Sequence, residues 1–459
     1  MQKKRFDRQQ SQINTSSHQA DQKKPKAARK LLVYLIIAFI SGISGASFAL
    51  VLASSPFRHT TAVLPNSSKS ITTIIPTQID RPVNILILGI DNSGHPHQAA
   101  FTLGEALSGN SDTMLLIRLL PKTHQVNILS LPRDTRAEIP GVGADKINAA
   151  NVYGGMPLAA STVSQLLRNI PIDRYIRVDT EGFIHLVDAL GGVEVNVPKA
   201  MKYVDRSQNL NINFVAGNQT LNGQHLQEYV RFRHDALGDI GRVQRQQEVL
   251  QALLHKLIQP DTFNKVQQLL QIVQQNLDTD LSLGEMLAIY HVLTGVDRYH
   301  LNMVMLPGRF SLNNEYDSSY WIENTQATDT VLTRYFDVSI PTEVTQDDQQ
   351  LTTQKSQASK TIQIALVNAT GQSDINEKAI KFFRNRGFSN VYIADHEIDS
   401  MLESTGKTQI IAQQGNPDIA NLVKKEIGVG QVQVEATGDL YSDVTVIIRE
   451  DLATKFRSN

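Results

Sequence analysis

Val83-Asn84-Ile85-Leu86-Ile87-Leu88-Gly89 is a nearly unbroken apolar run. A strand with one face in water would alternate apolar and polar residues, so this run reads as a strand buried on both faces. Outward from it, Met114–Leu120 and Gln125–Leu131 read as two more strands, joined by the turn Pro121-Lys122-Thr123-His124. Pro157–Asn169 has helical periodicity. Tyr175–Val178 reads as a strand, Glu181–Leu190 as a helix, and Val193–Val197 as a strand after the turn Gly191-Gly192. Asp239–Ile258 has a helical pattern, helical segments continue to about Val292, and Leu301–Leu306 reads as a late strand. Helices and strands intermixed in this way argue for a layered α/β or α+β domain.

The chain has 459 residues, 41% of them hydrophobic and 19% charged, which allows a sizeable core in two or three units. Its net charge of −1 gives no global attraction to nucleic acid, so charge-driven binding must come from local clusters. The absence of cysteine excludes disulfides, thiolate metal sites and cysteine nucleophiles.

Residues Leu31–Ala53 carry no charge and are long enough to span a bilayer. Residues 1–30 hold nine Lys and Arg (Lys3 to Lys30) against Asp7 and Asp21, so the expected orientation is N-terminus in the cytosol and the rest outside. The run exceeds a typical signal-peptide core, which favours an uncleaved single-pass anchor in the cell membrane. Residues 54–80 read as a spacer, 81–340 as the main domain, and the Gln-, Thr- and Ser-rich residues 341–360 as a linker. A small βαβ-like module follows over 361–452: strand Thr361–Val367, helix Ser373–Arg386 capped by Ser373, strand Val391–Ala394, helix Asp418–Ile427 and closing strand Val444–Arg449. It shows no catalytic cluster and reads as a binding or positioning domain.

Several residues can carry chemistry. Asp91 follows the first strand, where α/β proteins place ligand-binding groups, although Asp-Asn-Ser-Gly is also ordinary turn chemistry. Asp112, in Ser111-Asp112-Thr113, could join Asp91 as a hard-oxygen pair for Mg²⁺ or cap the strand that follows. Arg133 and Asp134 follow a strand and Pro132. They read either as an ion pair or as a phosphate-directed arginine with its orienting carboxylate. The densest cluster is Tyr229-Val230-Arg231-Phe232-Arg233, then Asp239, Arg242, Arg245 and Gln246. If residues 229–233 are extended, Arg231 and Arg233 share a face. Arg242 and Gln246 share a helix face at i and i+4. Guanidinium forks and a helix start match pyrophosphate oxygens; a salt-bridged surface helix is the other reading. His95-Pro96-His97 reads as loop histidines rather than a metal site. Tyr153-Gly154-Gly155 and Leu190-Gly191-Gly192 do not lead into a phosphate-loop helix.

Taken in order, these segments resemble the LytR–CpsA–Psr family of bacterial envelope proteins. The resemblance rests on one N-terminal membrane helix, strand-GxD ending at Asp91, SDT at 111–113, S-x-PRDT at 130–135 and Asp145-Lys146-Ile147-Asn148-Ala149-Ala150. It continues through Leu190-Gly191-Gly192-Val193, R-x-R at 231–233 and D-x-x-R-x-x-RQQ at 239–247. An insertion-like stretch, HPHQAAFTLGEALSGN, lies between Asp91 and Asp112. The resemblance implies a mixed αβα layered catalytic domain with a small α/β C-terminal domain. It implies a phosphotransferase that moves a phosphate-linked glycopolymer from a polyprenyl pyrophosphate carrier to peptidoglycan with Mg²⁺ assistance, with pyrophosphatase activity on the side. It matches Asp91 and Asp112 to the metal-associated acids, and Arg133, Arg231, Arg233, Arg242, Gln246 and Lys146 to the pyrophosphate-binding set. Arg133 and Arg231 are then catalytic, with Asp134 and Asp239 the candidate proton acceptors. The lipid tail requires an apolar tunnel. The competing reading is a non-catalytic, membrane-anchored binder of the same lipid or of wall polymer. Nucleic acid is not an expected partner, because the basic tail is explained by membrane topology.

Overall fold

The computed structural model describes residues 57–62, 73–91, 107–197, 199–205, 210–232, 239–259, 262, 265–296, 300–312, 314–339, 362–394, 407–435, 438–439 and 441–457. The membrane span expected at 31–53, the tail before it, the linker 341–360, His95-Pro96-His97 and Arg233 lie outside these residues. No helix among the described residues is long and apolar enough to cross a membrane. The chain divides into two units, Met1–Ser55 and Pro56–Asn459, and every described element belongs to the second.

The first described element corrects the expected spacer. β1 (Phe57–Ala62) and β2 (Thr73–Ile79) pair antiparallel, and buried Ile79 joins a core cluster. The apolar run then forms β3 (Val83–Ile90), followed by β4 (Ser111–Leu120) and β5 (Gln125–Leu131). A small hairpin, β6 (Arg136–Ile139) and β7 (Gly143–Lys146), leads into α1 (Ala150–Leu166). This helix starts earlier than Pro157 because it runs through a bend at Gly154 and Gly155, the latter at φ 60°. Pro157 sits just past the bend, where its missing N–H costs little. The helix stops at Leu166, and Arg168 and Asn169 both take positive φ.

β8 (Arg174–Asp179) and α2 (Thr180–Leu190) follow. Asp179 caps α2 by accepting from the Gly182 N–H at 2.8 Å, and Gly191 ends it at φ 84°. β9 (Val193–Val197), β10 (Met201–Asp205), β11 (Leu210–Phe214) and β12 (Gly217–Leu221) make two antiparallel pairs, β9 with β12 and β10 with β11. Then come α3 (Gly223–Arg231), α4 (Asp239–Leu257), α5 (Val266–Asn276), β13 (Leu277–Thr279) and α6 (Leu283–Thr294). β14 (Leu301–Met305), the pair β15 (Gly308–Phe310) and β16 (Trp321–Glu323), and α7 (Thr325–Phe336) complete the main domain.

Its central sheet has the order β13-β8-β3-β4-β5-β14. β3 runs parallel to β8 and β5 parallel to β14, while β4 is antiparallel to both neighbours. Leu86, Leu88, Met114 and Leu116 point to one side and pack with α1 and α7. Ile85, Leu115, Ile117 and Val126 point to the other, toward α4, α5 and α6. The result is the expected αβα layering around a mixed sheet.

The C-terminal module comprises β17 (Gln363–Asn368), α8 (Ile375–Arg384), β18 (Asn390–Ile393), β19 (Gln409–Ala412), α9 (Pro417–Ile427), β20 (Gln431–Gln433), β21 (Val444–Ile448) and α10 (Glu450–Arg457). Two expectations are corrected. The α8 cap is Asp374, without a side-chain cap bond, rather than Ser373. β21 does not close the sheet; it is central in the order β18-β17-β21-β19-β20, as its burial on both faces requires, and α10 follows it. The module docks on the main domain. Tyr335 Oη donates to the Gly415 carbonyl at 2.9 Å, and the Met303 N–H donates to the Val434 carbonyl at 3.0 Å. Gly415 sits at φ 73°, where an added Cβ would meet Val304 and Val331 at 2.9 Å.

Candidate active site

Asp91 and Asp112 are brought to the same place by strand pairing. β3 and β4 pair Gly89 with Thr113 and Ile90 with Ser111, so Asp112 is the extra residue of a bulge. Bulges re-aim side chains, and here the Asp112 carboxylate meets the Arg133 guanidinium from the turn after β5. The Asp91 N–H donates to the Asn110 carbonyl at 3.2 Å, so the long intervening stretch returns to its starting point.

Arg133 sits in a turn fixed from several sides. Thr135, fully buried, returns its N–H and Oγ1 to the Pro132 carbonyl at 2.9 and 2.6 Å. The Asn148 N–H donates to the Arg133 carbonyl, and the Trp321 N–H to the Asp134 carbonyl at 2.9 Å. Arg133 Nη1 donates to both oxygens of Asp112, at 3.1 and 3.0 Å. Its Nε lies 3.5 Å from Asp134 Oδ2, and Lys146 Nζ lies 2.8 Å from Asp134 Oδ1. The chain Asp112–Arg133–Asp134–Lys146 is therefore continuous, and Asp134 is engaged on both oxygens.

Arg231 is not in an extended segment. It ends α3, which Asn222 caps by accepting from the His225 N–H at 2.9 Å. Helical geometry wins because Leu226 and Tyr229 bury one face of α3. Arg242 and Gln246 lie one turn apart on α4, as their spacing requires, and both face the site beside Arg231. Asp239 begins α4, but its side chain lies outside the described residues.

Arg245, grouped in sequence with the other arginines, has a different place. It is buried, donates to the Phe232 carbonyl, and lies 5.3 Å above the Phe232 ring. Tyr229 Oη donates to Glu248 at 2.8 Å. Together these contacts tie the end of α3, which carries Arg231, to α4, which carries Arg242. Burial pushes the Glu248 carboxyl up to about 8, against smaller opposing pulls from the Tyr229 hydroxyl and Arg245. The sign follows. At low pH the group is protonated in both the folded and unfolded chain. As pH rises through the ordinary carboxyl range toward about 8, only the unfolded chain releases the proton, so stability falls. Glu248→Gln is expected to remove a decline on the order of a few kcal/mol between about pH 5 and pH 9. Urea unfolding midpoints of both proteins across that range check this.

A cavity of about 770 Å³ opens beneath these groups. Asp91, Asp112, Arg133, Arg231, Arg242 and Gln246 line it at its polar end. Most of the remainder is apolar, with Ile87, Ile117 and Ile176 from the sheet facing Leu250, Leu254 and Val273 from the helices. Ile87 and Ile176 belong to inner strands yet are only half-buried, because the helices do not close onto them. Asp179 and Asp205 also line the cavity, and sequence reasoning did not select them. Asp179 had a visible signal as a helix cap.

Asp91 and Asp112 supply hard oxygens. Among the described residues no three or more His, Cys, Asp or Glu converge on one point. A pair of carboxylates matches the way Mg²⁺ is commonly held in phosphate sites, with substrate oxygens and water completing its shell. The donor chemistry thus fits Mg²⁺.

Residues 52–336 match the LytR_cpsA_psr family, and residues 361–452 match the family described as LytR cell envelope-related transcriptional attenuator. The first match spans more than half of the chain, which belongs to the LytR_cpsA_psr family. Among relatives, the chain is 37% identical over 207 residues to the polyisoprenyl-teichoic acid–peptidoglycan teichoic acid transferase TagU of Bacillus cereus, covering 45% of this chain and 62% of that one. It is 31% identical over 264 residues to the transferase of the same name from Bacillus licheniformis, covering 56% and 80%. The chain thus spans less than two thirds of the first of these relatives. The crystal structure of B. subtilis TagV is similar at 27% identity and TM-score 0.48, covering 57% of this chain and 99% of that one.

Proposed function

We propose that this protein is a membrane-anchored phosphotransferase that moves a phosphate-linked glycopolymer from a polyprenyl pyrophosphate to peptidoglycan. The observation that carries this reading is a mainly apolar chamber whose lining also holds the carboxylates Asp91 and Asp112 and the arginines Arg133, Arg231 and Arg242. A polyprenyl pyrophosphate is a long apolar tail joined to a dense anion, and the cavity has the same order of chemistry. The relatives named as teichoic acid transferases support the substrate class.

The chain's residues divide the work. The chamber takes the tail out of water. Arg133, Arg231 and Arg242, with Arg233 and Gln246, bind the diphosphate oxygens and stabilise charge that develops on the departing polyprenyl phosphate. Asp134 holds Arg133 in orientation, and Lys146 holds Asp134. That commitment leaves Asp239, of the two candidate carboxylates, to accept the acceptor hydroxyl's proton. Asp91 and Asp112 would hold Mg²⁺, which supplies further charge neutralisation on the phosphates when bound. The acceptor oxygen bonds to the glycan-side phosphorus, and the bridging P–O bond breaks toward the lipid side. The anchor at 31–53 keeps this chemistry at the outer face of the cell membrane.

In an assay of the full-length protein with a glycosylated polyprenyl pyrophosphate and peptidoglycan, lipid monophosphate is expected to appear with Mg²⁺ and to stop with EDTA. Undiminished turnover in EDTA would remove the metal from the mechanism. A non-catalytic binder needs no metal at all, so the Asp91 and Asp112 pair favours the transferase.

A further inference from the structure

Beside the turn that carries Arg133 lies an aromatic and cationic rim that the proposed chemistry uses only through the contact of Lys146 with Asp134. Tyr316 and Tyr320, in the loop between β15 and β16, meet edge to face at 5.4 Å and 82°. The Arg136 guanidinium lies 5.1 Å from the Tyr316 ring centre, and Lys146 Nζ lies 5.9 Å from that of Tyr320. Phe310 and Trp321 of the same hairpin pack against the main core, but Tyr316 and Tyr320 belong to none of the core clusters of the described residues. Tyr316 is 38% exposed. Two large rings kept at the surface, each beside a cation, are not accounted for by core packing.

The loop is held in place. Ser311 and Tyr320 exchange two hydrogen bonds, Ser311 N–H to the Tyr320 carbonyl at 2.7 Å and Tyr320 N–H to Ser311 Oγ at 3.0 Å. Glu315 of the loop pairs with Arg309 of β15 at 2.8 Å. Trp321, next to Tyr320, donates its N–H to the Asp134 carbonyl, and Lys146 pairs with Asp134. The rim is therefore joined by direct contacts to the turn that carries Arg133.

The geometry points to a subsite for the sugar carried on the diphosphate, formed by Tyr316, Tyr320, Arg136 and Lys146. This assignment rests on the reading of the mouth as a diphosphate site. A sugar ring has one face of C–H groups and an edge of hydroxyls. Aromatic faces are complementary to the C–H groups, and guanidinium, ammonium and phenol groups to the hydroxyls. A bare diphosphate needs no aromatic rings, and a lipid tail needs no cations. By direct contact, Tyr320 joins Lys146, Lys146 joins Asp134, Asp134 joins Arg133, and Arg133 lines the chamber. A glycosylated polyprenyl diphosphate likewise joins sugar to diphosphate and diphosphate to tail.

The test is equilibrium binding by the full chain of two probes, polyprenyl pyrophosphate alone and the same lipid bearing one hexosamine. Wild type is expected to bind the sugar-bearing lipid about tenfold or more tightly than the bare one. Tyr316→Ala and Tyr320→Ala should each remove most of that preference and leave the bare lipid's affinity unchanged. Tyr320→Trp should retain it. Equal binding of both probes by wild type, with bare lipid bound well, overturns the subsite and leaves the diphosphate reading standing. Equal weakening of both probes by the alanine variants also overturns it, because the rings then only support the loop. So do alanine variants that bind both probes normally but need more peptidoglycan for half-maximal rate, which moves the rim to the acceptor. Wild type that binds neither probe overturns the diphosphate reading and the subsite with it.

Discussion

Arg133→Ala is expected to lower transfer by about 10²–10³-fold or more while leaving the fold intact, the loss typical of removing one preorganised donor to developing charge. The turn explains why the fold survives. Its backbone is held by Thr135, Asn148 and Trp321, none of which needs the Arg133 side chain. The side chain instead spans the Asp112 and Asp134 carboxylates. Arg133→Lys should recover only part of the rate, because an ammonium cannot address two groups with a fixed fork. Initial rates, with circular dichroism of each variant, check both points. Wild-type turnover in Arg133→Ala would end its role.

Ile176→Trp is expected to abolish productive lipid binding by filling the chamber. Ile176 lies on an inner strand opposite Ile87 and lines the cavity among its apolar residues. Displacing even five methylenes of a tail forfeits about 4 kcal/mol at roughly 0.8 kcal/mol each, or on the order of 10³ in affinity. A short soluble pyrophosphate ester should bind wild type and variant alike, since the mouth is untouched. Long-chain lipid bound equally by both proteins would show that the tail lies elsewhere.

The sequence carried the layers and most of the site but not the way its parts meet. VNILILG at 83–89 was readable as a strand buried on both faces because no position in it tolerates steady exposure. The convergence of Asp91 and Asp112 was not readable, because it depends on a one-residue bulge after a long intervening stretch. The helical setting of Arg231 is hidden for a related reason. Alternating Arg and aromatic residues resemble a strand, while Leu226 and Tyr229, further back, hold the segment in a helix. Arg245 shows the limit of reading a charge cluster from spacing alone. It belongs to the same run as Arg242 but folds inward onto Phe232. The chamber was required by the substrate chemistry, yet no residue pattern distinguishes an apolar face that packs from one that lines a cavity.

The central claim is transfer, and the most direct test counts both products of one reaction. Full-length protein would be incubated with Mg²⁺, a glycosylated polyprenyl pyrophosphate and peptidoglycan. Polyprenyl monophosphate released and phosphodiester formed on peptidoglycan would then be quantified together. The two are expected in equal amounts, both lost in Arg133→Ala. Tight retention of the lipid with neither product formed would contradict transfer and identify a binder instead.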